Sequence, residues 1–368
     1  MKAWQRYPLW GFSVFGLLSL TGCWDQRSVT DRSMATVLDV VPTSKPGIFA
    51  WTYRFPNVAV TVSSLPSIKP SEQYYAYTVN AASLAQSQTR VQHDLSRDLY
   101  MGQLKIVAWS STMTTEQVTT LVNTLNHEGI TPHTYWVVIG TPPLAKLFVV
   151  SPQQAVPELY LSHFFNCRQC QPFKLGCHGW QFWAQTVTPG ISPVAPYATN
   201  SMHISQVAVY GQSGRPHILT VHQTQGWAYL TDRAEKATLT LPTRQGIATL
   251  SRIHGTRSQQ VRLVHGVLRV TEKLKLTGMM SQIPAGAVIS QEYLSHIQRL
   301  AEHAVRSRCL GALRVANRTH TDPFGYARTL LWTNNEATRG MPLSQLATLP
   351  IDATVTVRLK IVGQGVSV

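Results

Sequence analysis

The chain has 368 residues, of which 44% are hydrophobic, so it is long and apolar enough to form two or three folded domains. Its formal net charge of +15 favours anionic partners, namely lipid headgroups, cell-wall polymers or nucleic acid. The Lys and Arg residues are scattered, with no basic run and no aromatic motif of a nucleic-acid module. We therefore predict no nucleic-acid partner and favour an anionic membrane surface, while a merely solubilising charge stays open.

The first element is a short apolar run that ends at a cysteine. Lys2 and Arg6 precede Leu9–Leu20, which is too short to cross a membrane and is typical of a secretory signal. The next residues complete the stretch "LTGC", which resembles the lipobox of bacterial lipoproteins. This resemblance implies cleavage after residue 22, with S-diacylglyceryl and N-acyl groups on Cys23 as a stable membrane anchor. An ordinary signal with a chance cysteine is the alternative.

Strands and helices are predicted to alternate through the first domain, residues 23–160. Capping residues and helical spacing indicate the helices, and apolar segments indicate the strands. The predicted strands are residues 37–41, 49–60, 104–107 and 133–140. One helix is predicted over residues 80–97, with Asn80 as its N-cap. A second helix is predicted over residues 114–129, where a Thr114–Gln117 capping box begins it and Gly129 ends it. Residues 63–72 are predicted to form a loop. This order predicts a mixed α/β domain with helices covering a sheet.

A cluster of cysteines follows in the stretch "CRQCQPFKLGCHGW". It contains Cys167, Cys170 and Cys177 beside His178. Cys-x2-Cys is a common metal spacing, but no second pair accompanies it here, and an exported chain permits disulfides. A disulfide within the cluster, a metal site and free thiols therefore all stay open. The remaining cysteine, Cys309, is predicted to be a small buried hydrophobe.

Antiparallel strands dominate the prediction for the second half of the chain, which follows a helix-poor connection over residues 151–200. The predicted elements are a hairpin over residues 205–222, a β segment over residues 259–276 that turns near Gly266, a helix from Ser290 to Cys309 and a strand over residues 352–363. In the last strand, Val355, Val357, Leu359 and Ile361 are predicted to lie on one face, and Thr354, Thr356, Arg358 and Lys360 on the other, as in a half-buried strand. We predict a connecting region with a small middle domain over residues 161–239 and an α+β domain over residues 240–368.

The sequence carries no signature of a common catalytic site. It contains no Gly-x-Ser-x-Gly, P-loop, Gly-x-Gly-x-x-Gly or His-Glu-x-x-His motif, and only 17 of its residues are acidic. The pair Asp94 and Asp98 has helical spacing and is interpreted as part of a solvated helix surface. We therefore predict that the protein is not an enzyme and that it has no catalytic, cofactor-binding or metal-binding residues.

Four stretches, in order along the chain, resemble the Ger(x)C family, the C subunits of spore germinant receptors. They are "GCWDQRSVTDRSMA" (22–35), "LSRDLYMGQLKIVAWS" (95–110), "VAVYGQSGRPHILT" (207–220) and "DPFGYARTLLW" (322–332). Cys-Trp-Asp at a lipobox, combined with Asp-x-Phe-Gly before a final alternating strand, is a fairly specific pattern. The chain departs from the family at Gln103, where His is common, and in its cysteine cluster.

The resemblance implies a fold of three domains, each a β-sheet with packed helices. It implies a lipid-anchored protein on the outer face of the spore inner membrane, without a cofactor. It also implies assembly with an integral-membrane A subunit and a permease-like B subunit, and a non-catalytic role in the response to nutrients. Two other classes stay open: a solute-binding lipoprotein of a transporter, which the antiparallel second half disfavours, and an anchored enzyme that acts on the cell wall.

Two of the resembling stretches allow a structural interpretation. Trp24 and Asp25 lie either near the lipid headgroups, where Trp is favoured, or in a flexible tether. In the other stretch, Pro323 and Gly325 are predicted to form a tight turn that sets Phe324 against the core.

Overall fold

The computed structural model describes residues 31–57, 74–148, 157–167, 170–199 and 204–362. The strands in these ranges are β1 (Arg32–Met34), β2 (Val37–Pro42), β3 (Phe49–Pro56), β4 (Tyr74–Ala81), β5 (Asp98–Tyr100), β6 (Ile106–Ser110), β7 (Trp136–Gly140), β8 (Val194–Ala198), β9 (Ile204–Val209), β10 (His217–Ile218), β11 (Ala237–Thr243), β12 (Gly246–Val264), β13 (Val267–Gln282) and β14 (Ile351–Ile361). The α-helices are α1 (Leu84–Gln92), α2 (Thr115–His127), α3 (Pro157–Asn166), α4 (Gly179–Val187), α5 (Val221–Leu230), α6 (Gln291–Thr319) and α7 (Tyr326–Thr333).

The largest sheet has eight strands in the order β10-β9-β8-β7-β6-β2-β3-β4. Its centre is parallel, from β2 through β6 and β7 to β8, and antiparallel strands flank the centre on both sides. Every residue of β6 and β7 is buried, as expected for central parallel strands that are covered on both faces. A separate two-stranded parallel sheet joins β1 to β5.

The second large sheet has the order β11-β12-β13-β14, and its last pair, β13 with β14, is parallel. Its inner face packs against α6, whose buried residues share one hydrophobic core with the sheet and with α5. This core continues into residues of β6 and β7, so the two large sheets are not packed independently. The mixed α+β architecture with three sheets agrees with the predicted fold class.

Several predicted elements are confirmed. Strands occupy residues 37–42, 49–56, 106–110 and 136–140, and Thr114 and Gln117 form the capping box that opens α2. The turn of the β12–β13 hairpin lies at His265 and Gly266. In β14, Val355, Val357 and Leu359 are buried while the alternate Thr, Arg and Lys residues are exposed. The predicted loop over residues 63–72 lies outside the described residues.

The predicted helix over residues 80–97 is wrong at both ends. Tyr74–Ala81 forms β4, because all eight of its residues pair with β3 in an unbroken antiparallel register. The helix begins after Ser83, whose side chain accepts the N–H of Gln86, and it ends at Gln92. Asn80 is therefore a strand residue and not a cap. The next helix, α2, ends at His127, two residues before Gly129.

The region from residue 151 to residue 200 was predicted to be poor in helix, and that prediction is wrong. It contains α3 and α4, and at the N-terminus of α4 the side-chain oxygen of Gln181 accepts the N–H of His178 at 2.9 Å. The predicted hairpin is present as β9 and β10, but its last residues begin α5 behind a second capping box, Thr220 with Gln223. Helix α6 continues ten residues past Cys309 to Thr319.

The domain boundaries at residues 160 and 240 stay predictions, and the two large sheets lie on either side of the second of them. Strands β8, β9 and β10 belong to the same sheet as β2, β6 and β7, so the structure extends the first sheet well past residue 160. Strand β8 pairs with β7 in parallel, and β9 and β10 then follow as antiparallel neighbours. The C-terminal sheet begins at Ala237, close to the predicted boundary at residue 240.

Candidate functional site

The predicted lipid-attachment residue, Cys23, lies outside the described residues, as do the apolar run before it and Trp24 and Asp25 after it. Lipidation of Cys23 therefore stays a prediction. Within the described ranges, no helix is both long enough and apolar enough to cross a membrane.

The structure divides the cysteine cluster into a bonded pair and a separate thiol. Cys167 and Cys170, just after α3, form a disulfide with their Cα atoms 5.3 Å apart. Cys177 is a buried free thiol, and its carbonyl oxygen accepts the N–H of Val137 in the first sheet. His178 packs against Trp136 with the ring centres 3.6 Å apart. The segment before α4, which includes Cys177 and His178, is therefore held against the central strand β7.

Neither free thiol is suited to nucleophilic chemistry. Burial raises the pKa of Cys177 to about 12, so its thiol stays protonated near neutral pH. Cys309 lies in the core beneath α6, and burial raises the pKa of its thiol as well. Both residues act as small apolar side chains. Among the described residues, no three His, Cys, Asp or Glu side chains lie close enough together to hold a metal ion.

The Asp322–Gly325 motif forms a buried turn at the start of α7. The carboxylate of Asp322 accepts the N–H groups of Phe324, Gly325 and Ala327 at 3.1, 2.9 and 2.8 Å, which satisfies donors that a helix N-terminus otherwise leaves free. Gly325 has a φ of +72°, a backbone conformation that favours glycine. Phe324 is buried and stacks on Tyr326, in agreement with the predicted packing role.

The same turn lies between α6 and α7, which pack against the C-terminal sheet, and it is hydrogen-bonded to residues near the first sheet. Asp322 exchanges two hydrogen bonds with Ser192, which lies just before β8 in the first sheet: its N–H donates to the Ser192 hydroxyl, and its carbonyl oxygen accepts the Ser192 N–H, both at 2.9 Å. Trp227 of α5 donates its indole N–H to the carbonyl oxygen of Pro323 at 3.0 Å. The N–H of Arg328 in α7 donates to the carbonyl oxygen of Gly190. The motif therefore holds the junction between the two halves of the protein.

We expect Asp322 to make stability depend on pH. Burial raises the pKa of its carboxyl group from 3.8 to about 6, although four backbone N–H groups oppose this shift. Between these values the folded state binds more protons than the unfolded state, so this stabilising contribution is complete below pH 4 and is lost as the pH rises through 6. From pH 4 to pH 7, the unfolding free energy of the parent should fall by about 2.5 kcal/mol relative to Asp322→Asn, measured by urea titration.

The opposite slope would contradict this expectation. If the parent gains stability over Asp322→Asn as the pH rises, the N–H groups around the carboxylate outweigh its desolvation. Asp94→Asn is the control, because it makes the same chemical change at an exposed side chain.

Cations that are scattered in the sequence meet on one surface of the C-terminal sheet. The strand register places Lys275 of β13 beside Arg358 of β14, and Arg269 of β13 opposite Arg262 of β12. The sequence analysis found the alternation that places Arg358 and Lys360 on one face of the last strand. It missed that the neighbouring strands add further cations to the same face, because β13 and β14 pair across 83 residues of the chain.

Comparison with known proteins gives two family matches that follow one another along the chain. The model of the spore germination protein N-terminal domain matches residues 25–200, and the model described as spore germination B3/GerAC like, C-terminal, matches residues 207–363. The crystal structure of the GerBC protein is similar with a TM-score of 0.55 at 10% sequence identity, covering 88% of this chain and 96% of that one. At that identity the likeness concerns the fold. No curated protein matches the chain at a significant level.

Proposed function

The chain belongs to the GerAC-like (Ger(x)C) family of spore germination proteins, and from this premise we propose that it is the non-catalytic, lipid-anchored C subunit of a nutrient germinant receptor. The observation that carries the proposal is the pair of family matches, which together span residues 25 to 363 with a short gap between them. The likeness to the GerBC fold over most of both chains supports the same assignment.

The residues themselves fit an assembly role. The two described free thiols are buried and protonated, and the motif shared with the family, Asp322–Gly325, holds the junction between the sheets. The side chain of Asp322 is fully buried, so it is positioned to fix the fold rather than to meet a substrate. In this proposal the protein contributes a shaped surface to a receptor that also contains the A and B membrane subunits.

The proposed anchor is the lipidated Cys23, which would hold the chain on the outer face of the spore inner membrane. Two acyl chains supply the stable attachment that a single chain does not. The described residues contain no alternative spanning helix, and the segment with the "LTGC" stretch precedes the first family match.

We expect Cys23→Ala spores to lose their nutrient response while their response to a non-nutrient germinant is kept. The reason is that an unanchored subunit leaves the membrane on which the receptor assembles. The measurement is dipicolinic acid release, in a strain that depends on this receptor alone and with matched amounts of protein. Thr21→Ala is the control, because it keeps the cysteine and a small residue before it. A full nutrient response in Cys23→Ala spores would contradict the proposed anchor.

A further inference from the structure

The C-terminal part of the protein carries most of its positive charge, and six of these cations lie on the outer face of the C-terminal sheet. Residues 237–362 contain sixteen Lys and Arg against six Asp and Glu, so this segment carries +10 of the chain's +15. Because side chains alternate along a strand, the apolar residues of β13 and β14 face α6, and the polar residues between them face solvent. We call six exposed cations on this side of the sheet the basic face: Arg262, Arg269, Lys273, Lys275, Arg358 and Lys360.

The strand register sets these cations side by side. Arg262 lies directly opposite Arg269, and Lys275 lies directly opposite Arg358. Neighbouring strands are about 4.8 Å apart, and like charges directly opposite each other are destabilising. In the described part of the sheet, one carboxylate shares this face, that of Asp352, and it forms an ion pair with Arg269. The arrangement costs stability in the isolated protein, and an anionic surface would relieve that cost.

The composition of the face indicates what kind of surface it meets. The residues between the cations are small and polar, namely Thr256, Ser258, Gln260, Thr354 and Thr356, and all of them are exposed. A protein–protein interface has a core enriched in aromatic residues, Met and Arg and depleted of Lys, whereas this face has three Lys and no aromatic side chain or Met between its cations. Lys and Arg close to an anionic leaflet each gain about 1 kcal/mol from its surface potential.

We infer that the basic face lies against the anionic lipid headgroups of the membrane to which the protein is tethered. The inference rests on the proposed function for that tether, and it adds an orientation. With the C-terminal sheet held against the lipid, α6 and the exposed cations along its outer side point away from the membrane, towards other partners. In this arrangement the lipid anchor holds the protein on the membrane, and the basic face sets which side of the protein meets the lipid.

The test is the binding of a lipid-free protein to vesicles. The chain from residue 23 onward, with Cys23→Ser to prevent acylation, is sedimented with vesicles of phosphatidylglycerol and phosphatidylcholine, and with vesicles of phosphatidylcholine alone. We expect the parent to bind the anionic vesicles selectively. The variant Lys273→Gln, Lys275→Gln, Arg358→Gln, Lys360→Gln should bind them at least a hundredfold more weakly, since each cation contributes a factor of about five.

A matched control removes the same charge from the other side. Arg299, Arg306, Arg314 and Arg318 are exposed on α6, whose opposite side packs against the inner face of the sheet. Replacing all four with Gln lowers the net charge equally, and we expect binding to change less than about fivefold. Melting curves must confirm that both variants are folded. If the quadruple variant of the basic face is not folded, the double variant Lys273→Gln, Lys275→Gln replaces it.

Two results would overturn the inference. Equal losses in the two variants would mean that net charge, and not this face, drives binding. If the parent protein does not bind anionic vesicles more tightly than neutral ones, lipid is not the partner of the basic face. An acidic protein would then be the partner to test. Neither result depends on spores, so failure here is distinguishable from failure of the Cys23→Ala test, which addresses the receptor role.

Discussion

Replacing Arg257 with Met is expected to lower the free energy of unfolding by about 3 to 5 kcal/mol, because it leaves a buried carboxylate without its partner. Glu272 of β13 is fully buried, and its Oε1 lies 2.8 Å from a terminal guanidinium nitrogen of Arg257 on β12. The Nε of Arg257 also donates to both carboxylate oxygens at 3.2 Å. The pair lies under α7, where the guanidinium carbon is 5.8 Å from the centre of the Tyr326 ring.

The measurement is urea-induced unfolding of the parent and the variant. Arg262→Met is the matched control on the same strand, because that side chain is exposed and its loss should change stability by less than about 0.5 kcal/mol. The double variant Arg257→Met, Glu272→Leu should recover most of the loss, since replacing both partners with apolar residues removes the unpaired charge. If the double variant is no more stable than the single one, the cost arises from lost packing instead.

We expect Gly226→Ala to destabilise the protein by about 3 kcal/mol, although alanine favours a helix more than glycine does. Gly226 is buried in α5 where this helix crosses α6, and an added Cβ would overlap the backbone carbonyl group of Arg308. Backbone atoms cannot move aside as a flexible side chain can, so the two helices must separate. The separation would loosen the core that α5 and α6 share with the C-terminal sheet.

The other helix offers a control of opposite sign. At Gly311 of α6, an added Cβ would lie 3.9 Å from the Cγ atom of Gln223, an ordinary van der Waals contact. Gly311→Ala should therefore stabilise the protein by up to about 1 kcal/mol, as expected for alanine within a helix. Thermal and urea unfolding of the two variants measure both signs. A stabilising Gly226→Ala would show that the helices are not held as close as the structure places them.

Local patterns predicted most of the regular elements, because those elements depend on near neighbours. The Thr114–Gln117 capping box and the alternation of Val355, Val357 and Leu359 are properties of a few consecutive residues. The helix predicted over residues 80–97 was misplaced because β4 is a half-exposed strand whose pairing with β3 stabilises it. Pairing with residues that lie 18 to 32 positions away in the chain leaves little local signal.

The features that matter for the candidate site depend on contacts between distant residues. The partners of Asp322 include Ser192, and the neighbour of Lys275 is Arg358, so neither arrangement has a local pattern. The sequence did show that Asp-Pro-Phe-Gly forms a turn and that the last strand has one polar face. It did not show that the turn joins two sheets or that three strands combine their cations, because both facts require the sheet register.

The parallel pairing of β13 with β14 has a consequence for synthesis of the protein. Residues 268 to 278 pair with residues 351 to 361, and partners such as Arg269 and Asp352 are 83 residues apart. At 5–20 residues per second, the chain between paired residues takes roughly 4 to 17 s to be made. During that interval one edge of β13 has its N–H and C=O groups unpaired, which is the condition under which strands associate wrongly. The row of Lys and Arg on that strand then repels other copies of the nascent chain, so the same charges that we place against the membrane also protect the unfinished sheet from aggregation.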